Sequence, residues 1–552
     1  MTTLATTSPS GTRESIAALA DGVHRLSRVE QMVWFSYQGS GLDAVDYARE
    51  CVRLAQSSSE RTRRALVARR RAIITDNWQS IVYEDLKTRL RPELHKYVMG
   101  ASGEYCDISR NPAKTIWQET AVLYKAPAQR ETPEAPDDAE RYRRLVRGTQ
   151  FNTFWASVEF ELMCFNDLVI WPTVIARRGA PALRHNKAAG DTVTAVFDPA
   201  LGDSEPFALV LIDNWHDGTR DRERYIWWTP KWRAVFDDAG DPNRLDPVTL
   251  DPIDDATPIN NPYGAMPFTY LHVDPYYPAF WNQTLGDDLI ELTIKTARQQ
   301  TQTADLFNRS GHKQLVSTGL GIKKPERTLL DPGAHIIVNG DGSTQIIDWT
   351  IDFESRQRVI DNDEARAAGT YGINPERLRK TSYQTAEGAR MTERPLEERR
   401  AKMREPLSDA ERSYREAVIV VSRVDRLAEA EDLPDSGVWM EIVHAPIAYP
   451  GDPKQQLEVD AAEIALGVTS PIEILQRRFP GISREEAKKR LRDNLQEQAE
   501  VAKIKQQFNV AANPVNRGAD DEANGRRGPM ERDGMDDNGQ IQPGSPPGQQ
   551  EA

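Results

Sequence analysis

The stretch FWNQTLGDDLIELTIKTARQQTQTADLFNRSGHK, Phe280 to Lys313, decides how the chain is organised. It is rich in helix formers, and Leu285, Leu289 and Leu292 stand at i, i+4 and i+7, the start of an apolar helix stripe. From Ile294 to Ala304 that stripe fades into Thr, Gln, Lys and Arg. A helix this polar offers no core face to its own subunit, so it is expected to pack against copies of itself or to span between domains.

C-terminal to it lies a compact β-rich insert, QLVSTG and then DPGAHIIVNGDGSTQIIDW, with turn signals at Asp331-Pro332-Gly333 and Gly340-Asp341-Gly342. A second charged helix is expected from near Phe353. It is followed by GTYGINPERLRKTSYQTAEGARM, Gly369 to Met391, and by a third helix from about Glu387 to Glu431 that Pro395 and Pro406 should kink or break. From Pro450 to Ile504 the pattern is that of a helical bundle with breaks at Gly467 and Pro480-Gly481. Beyond Phe508 there is no aromatic residue, and the composition of Asn509 to Ala552 predicts disorder.

N-terminal to the opening stretch, residues from about 14 to 100 read as helical. Arg63 to Val98 runs without Gly and with Pro92 as its only punctuation. Between about 140 and 275 the texture turns aromatic and β-branched. FALVLIDNW, HDGTRDRER and YIWWTPKW read as two antiparallel strands around an Asp-Gly turn, with helix near Phe151.

The 552 residues suffice for several cores, with a length prior of two to four domains. No run approaches the apolar length of a membrane span. The N-terminus MTTLATTSPSGTRES has no apolar stretch of signal-peptide type, so no export is expected. Cys51, Cys106 and Cys164 are odd in number and far apart, which argues for a reducing compartment and for small buried hydrophobes. A net charge of −14 argues against a protein that coats nucleic acid, yet an acidic channel lets a duplex slide without sticking.

Catalytic signatures are missing where they would be sought. The stretch Gly369 to Met391 contains no His or Cys, and neither Ser382 nor Tyr383 has an activating group at a recognisable spacing. There is no GxxxxGK[ST] loop and no GxSxG, so no nucleotide hydrolysis, cofactor or enzymatic activity is assigned. Asp213, His216 and Asp217 are better explained by a hairpin turn than by a metal. Arg61, Arg63, Arg64, Arg69, Arg70 and Arg71 would suit phosphates. However, Leu66, Val67, Ile73 and Ile74 form a stripe that includes Arg70, so a solvated or intersubunit salt-bridging face is the expectation. Trp155, Trp171, Trp215, Trp227, Trp228 and Trp232 read as core and hairpin packing.

The order of parts resembles the portal protein of tailed double-stranded DNA phages. GINPERLRKTSYQTAEGARM is similar to the family pattern in which Gly-Ile-Asn/Pro is followed by small residues before the long helix. IVHAPIAYPGDPKQQLEVDAAEIALGVTSPIEILQRRFPGISREEA resembles the family's C-terminal pattern of proline-bounded turn, helix, Leu-Gly-Val turn and a helix opening on Glu-Glu-Ala.

The resemblance implies an α+β, mostly helical fold assembled as a ring, typically of twelve subunits, at a capsid vertex of the virion. It assigns residues 1–278 to an N-terminal region and wing, 279–310 to a first stem helix and 311–350 to a β-rich clip. Residues 351–430 become a second stem helix, tunnel loop and long kinked helix, 431–508 a crown, and 509–552 a disordered tail. Thr370, Tyr371, Gly372, Arg377, Arg379, Lys380, Thr381, Ser382, Tyr383, Gln384 and Thr385 would form the tunnel loop, with Gly369, Gly372 and Gly388 letting the chain enter and leave it. Lys295, Arg298, Gln299 and Gln302 would face the channel. The implied partners are other copies of the chain, duplex DNA in transit, a large terminase supplying ATP hydrolysis, major capsid and scaffold proteins, and a head-tail adaptor, without a membrane. The alternative is a soluble enzyme or nucleic-acid-processing factor whose site has no recognised signature.

Overall fold

The structure, a computed structural model, describes residues 44–512 except 178–179, 198–205, 217–218, 255–257, 275–278, 283, 311–313, 319–334, 339–342, 348–351, 376–385, 435–437, 446–452, 480–481 and 483. The helix expected before residue 44 and the tail 513–552 lie outside the described residues. The chain divides into two compact units, Met1–Lys488 and Lys489–Ala552.

Among the described residues the N-terminal helical stretch is four helices: α1 (Ala44–Ala55), α2 (Ser58–Ile74), α3 (Gln79–Arg89) and α4 (Pro92–Met99). Ser57 caps α2 by accepting the Glu60 N–H, and Asp76, at φ 58°, turns the chain out of it. Pro92 is the first residue of α4, where a missing N–H costs nothing. Next come α5 (Pro112–Thr120), β1 (Gln129–Glu131), α6 (Pro136–Leu145) and α7 (Phe151–Phe165). Glu159 of α7 is buried and accepts the backbone N–H groups of Leu123 and Tyr124 at 2.7 and 2.9 Å, fixing the loop that leads to β1.

The strand region follows as β2 (Asp167–Arg177), β3 (Ala180–Ala189), β4 (Val193–Phe197), β5 (Pro206–His216), β6 (Asp221–Trp228), β7 (Trp232–Phe236), β8 (Pro242–Asn243), β9 (Ile259–Asn260) and β10 (Thr269–His272). A six-stranded sheet runs β4-β5-β6-β7-β8, with β9 paired to β7, and a separate sheet runs β10-β2-β3. The expected hairpin is β5 and β6, in antiparallel register from Leu209↔Trp228 to His216↔Asp221. Alternation along β5 serves two cores. Ala208, Val210 and Ile212 pack with Tyr47, Cys51 and Val52 of α1, while Leu209 and Leu211 face Trp228, Phe268 and Phe280 on the other side. Trp155 and Trp227 are wholly buried and Trp228 nearly so, Trp171 and Trp232 pack at the edges of a core, and Trp215 is exposed beneath the Arg224 guanidinium. All three cysteines are free and buried.

After β10 come α8 (Asp287–Ser310), the insert strands β11 (Gln314–Thr318), β12 (His335–Val338) and β13 (Ser343–Ile347), then α9 (Phe353–Thr370) and α10 (Ala386–Val424). In the insert β11 lies between β12, which is parallel to it, and β13, which is antiparallel, so the consecutive strands β12 and β13 do not pair with each other. The long helix α10 runs through both Pro395 and Pro406 rather than breaking there, and ends at Val424. It packs on β2 and β10, burying Leu407, Tyr414, Val418 and Ile419 in the largest core. Those contacts hold a helix together where a proline removes one backbone hydrogen bond.

Strand β14 (Glu441–Val443) pairs antiparallel with β1, joining the C-terminal part of this unit to its N-terminal body. α11 (Pro453–Ala465), α12 (Pro471–Arg478) and α13 (Arg484–Ala512) follow. Gly467, at φ 70°, ends the turn after α11, and Ser470 with Glu473 forms a capping box at α12. α13 continues four residues past the predicted end of order at Phe508.

Candidate functional site: a helical pair carrying a β insert

α8 and α9 pack as an antiparallel pair. Phe307 and Phe353 meet with ring centroids 5.4 Å apart next to the insert, Lys295 Nζ donates to Asp363 at 2.6 Å midway, and Tyr371 Oη donates to Asp288 at 2.8 Å at the far end. Each pair steps back along one helix as it steps forward along the other, so the insert sits at the closed tip of a hairpin.

The expectation that α8 lacks a core face of its own subunit is corrected. Leu289, Thr293, Ile294, Thr296, Ala297 and Thr301 are all buried, and α8 packs against α3, α4 and α5 as well as α9. Its threonines make this possible. Thr293 Oγ1 donates to Leu289 O at 2.8 Å and accepts the Ala113 N–H at 3.0 Å; Thr301 does the same with Ala297 O and the Asp107 N–H, each at 2.8 Å. A hydroxyl satisfied twice is as buriable as a methyl.

Of the four stem residues, Lys295 is held by Asp363, and Arg298 donates to Asp85 at 2.9 Å; Gln299 and Gln302 are half-buried. α9 has less core than its partner α8. Of its 18 residues only Ile360 and Ala368 are buried, and Val359 is half exposed. Arg110 ties it to the body through Asp361 at 2.9 Å and through Glu364.

The stretch after α9 begins anchored. Thr370, the last residue of α9, is exposed, but Tyr371 is half-buried, with its ring under the Arg399 guanidinium at 5.0 Å and its hydroxyl on Asp288. Burial and the Asp288 carboxylate push the phenol's pKa up, and burial pulls that of Arg399 down. Ile373 is buried in the core. Gly372 stands at φ 74°, where an L side chain is strained, and a Cβ there would also press on the Pro395 backbone at 3.3 Å. Gly369 instead lies within α9 and Gly388 within α10, so of the three glycines only Gly372 makes the turn. Arg377, Arg379, Lys380, Thr381, Ser382, Tyr383, Gln384 and Thr385 lie outside the described residues.

The arginine cluster is a set of staples within one chain, which corrects its reading as a solvated or intersubunit face. Arg63, Arg64 and Arg70 are buried. Arg63 donates to Gly190 O and Val193 O at 2.8 and 2.6 Å and stacks on Trp281; Arg70 donates to Asp287 at 2.6 Å. Arg71 holds Asp191, Arg69 holds Glu291 and Arg64 lies 3.8 Å from Glu223, which leaves Arg61 exposed on the outer face. In the hairpin His216 contacts Asp221 and Asp213 takes Arg224, and no metal-holding group of His, Cys, Asp or Glu occurs among the described residues. Nor is any helix among them long and apolar enough to cross a membrane.

No protein-family model and no curated protein matches the chain. Among solved structures it is similar to a chain described as "Virion of native gene transfer agent (GTA) particle", at 12% identity, with a TM-score of 0.34, over 71% of this chain and 94% of that one. At that score the likeness carries no argument.

Proposed function

We propose that the chain is a portal subunit of a tailed double-stranded DNA phage, assembling as a ring, typically of twelve copies, at one capsid vertex through which DNA is packaged and ejected. The observation that carries the reading is the helical pair: α8 and α9 bracket a three-stranded insert, and α9 fully buries only two of its 18 residues within its own chain. In a ring, neighbouring copies cover one side of such a helix and a hydrated channel wets another.

Apolar surface elsewhere agrees with assembly. Leu457, Ile464, Leu466 and Val468, on and just after α11, are all exposed. The motifs from Gly372 to Met391 and from Ile442 to Ala487 supply the family resemblance on which the parts are assigned: wing, stem, clip, tunnel loop and crown. On this reading the residues 376–385 face DNA in the channel. Gln299 and Gln302 line the stem, while Lys295 and Arg298 stiffen it through Asp363 and Asp85. Large terminase, head-tail adaptor, scaffold and major capsid protein are the docking partners, and the subunit does no chemistry of its own.

Electron micrographs of the purified chain test the reading. Closed rings with a central hole are expected; discrete single-chain particles count against it.

A further inference from the structure

We propose that a cleft between α6, the start of α7 and α10 binds an oxyanion of the phosphate class. Its volume is about 460 Å³, and its lining includes Arg130, Tyr142, Arg147, Asn152 and Arg415 and no Asp or Glu among the described residues.

Two independent features point to an anion. The first is Arg415, 2% exposed, whose Nε and Nη2 are buried with no hydrogen-bond partner among the described residues and whose guanidinium lies over the face of the Tyr142 ring, 5.6 Å away. The acid that would be expected to neutralise it, Glu411 one turn earlier on α10, is taken by Arg130 and by the Tyr124 hydroxyl. Water can satisfy donors, but it cannot neutralise a buried charge. Arg130 Nη2 and Tyr142 Oη are likewise buried without partners.

The second is the start of α7. Gln150, at φ 58°, provides no side-chain cap, and the first three residues of this 15-residue helix, Phe151, Asn152 and Thr153, all line the cleft. Their backbone N–H groups are among the orphan donors of a helix N-terminus, at the positive end of its dipole. Arg147 stands exposed at the rim and adds a second cation, whereas Arg143 is paired with Glu140 at 2.8 Å.

Two uncompensated guanidinium groups together with a helix N-terminus suit a doubly charged tetrahedral oxyanion better than a single carboxylate. The apolar walls from Val146 and Met440 leave room beyond one phosphate. The shared ligand chemistry is therefore a phosphate group, either free or as a small monoester.

Calorimetric titration of the full chain at constant ionic strength, with inorganic phosphate in one arm and glycerol phosphate in the other, tests this proposal. Saturable binding of one anion per chain is expected. Tighter binding of the ester identifies the monoester as the source, and equal binding identifies free phosphate. Arg415→Met should weaken binding about tenfold or more while leaving the ligand-free melting temperature unchanged or raised. If that variant misfolds, the exposed Arg147→Ser, which should weaken binding severalfold, decides. No saturable heat from either anion up to about 10 mM, or unaltered affinity in the folded variants, overturns the proposal.

Discussion

Thr293 caps a helix that is not its own. Its Oγ1 accepts the Ala113 N–H at 3.0 Å, one of the orphan donors in the first turn of α5, while Asn111 takes the Lys114 N–H beside it. Thr293→Val keeps the shape and removes the acceptor, leaving a buried N–H unpaired. Denaturant unfolding should show a loss of about 1–3 kcal/mol. Lys295→Ala, which removes a partly exposed ion pair two residues on, should cost about 1 kcal/mol or less. Equal effects would mean that the threonine's hydrogen bonds do not hold α8 to the body.

The arginine staples predict a contrast between neighbours. Arg63→Ala leaves the carbonyl oxygens of Gly190 and Val193 without their donor and should cost about 3 kcal/mol in unfolding. Arg61→Ser, on the exposed face, should stay within about 0.5 kcal/mol. If the cluster served DNA, both variants would change the salt dependence of DNA binding; neither is expected to.

Acid should weaken the fold through two histidines. Burial pulls His185 and His444 from their usual 6.5 to about 4. His185 sits between the Tyr414 hydroxyl at 2.7 Å and the Thr149 hydroxyl at 2.8 Å. With a folded pKa below the unfolded one, each group is neutral in the native state while the unfolded chain takes up a proton. Stability is therefore full above about pH 6.5 and declines as pH falls toward 4. Melting temperature recorded across that window should fall less steeply in His185→Gln than in the unaltered chain; an identical slope would remove His185 from the account.

How much of this was legible in the sequence follows from how local each cause is. The β5–β6 hairpin could be read because alternation and an Asp-Gly turn are local signals, and the break at Gly467 because a left-handed turn selects glycine. The burial of α8 is not legible in hydropathy, which counts a threonine as polar, whereas Thr293 and Thr301 hide their hydroxyls on carbonyls one turn back. The arginine cluster's role is not local in sequence, because its partners, Asp191, Glu223, Asp287 and Glu291, come from distant parts of the chain. The anchoring of Tyr371 is likewise invisible locally, because Asp288 and Arg399, which fix it, are remote in sequence.

The loop itself gives a separable prediction. On the portal reading, ring stability would reside in helix and wing contacts, whereas DNA in transit would pass the segment Arg377 to Thr385. Replacing Lys380 to Gln384 with prolines should leave assembly intact and lower packaged DNA and infectivity. Replacing Arg377, Arg379 and Lys380 with serine should alter the salt sensitivity of packaging without altering sequence preference. Loss of assembly in the proline variant would put the segment in a subunit interface instead.

On the portal reading one chain alone is an incomplete object, and native mass in solution tests this most directly. At micromolar concentration and near-neutral pH the purified protein should appear as a closed particle of about twelve times the 62.2 kDa chain mass. A single species at 62.2 kDa, unchanged as concentration rises, would contradict the account.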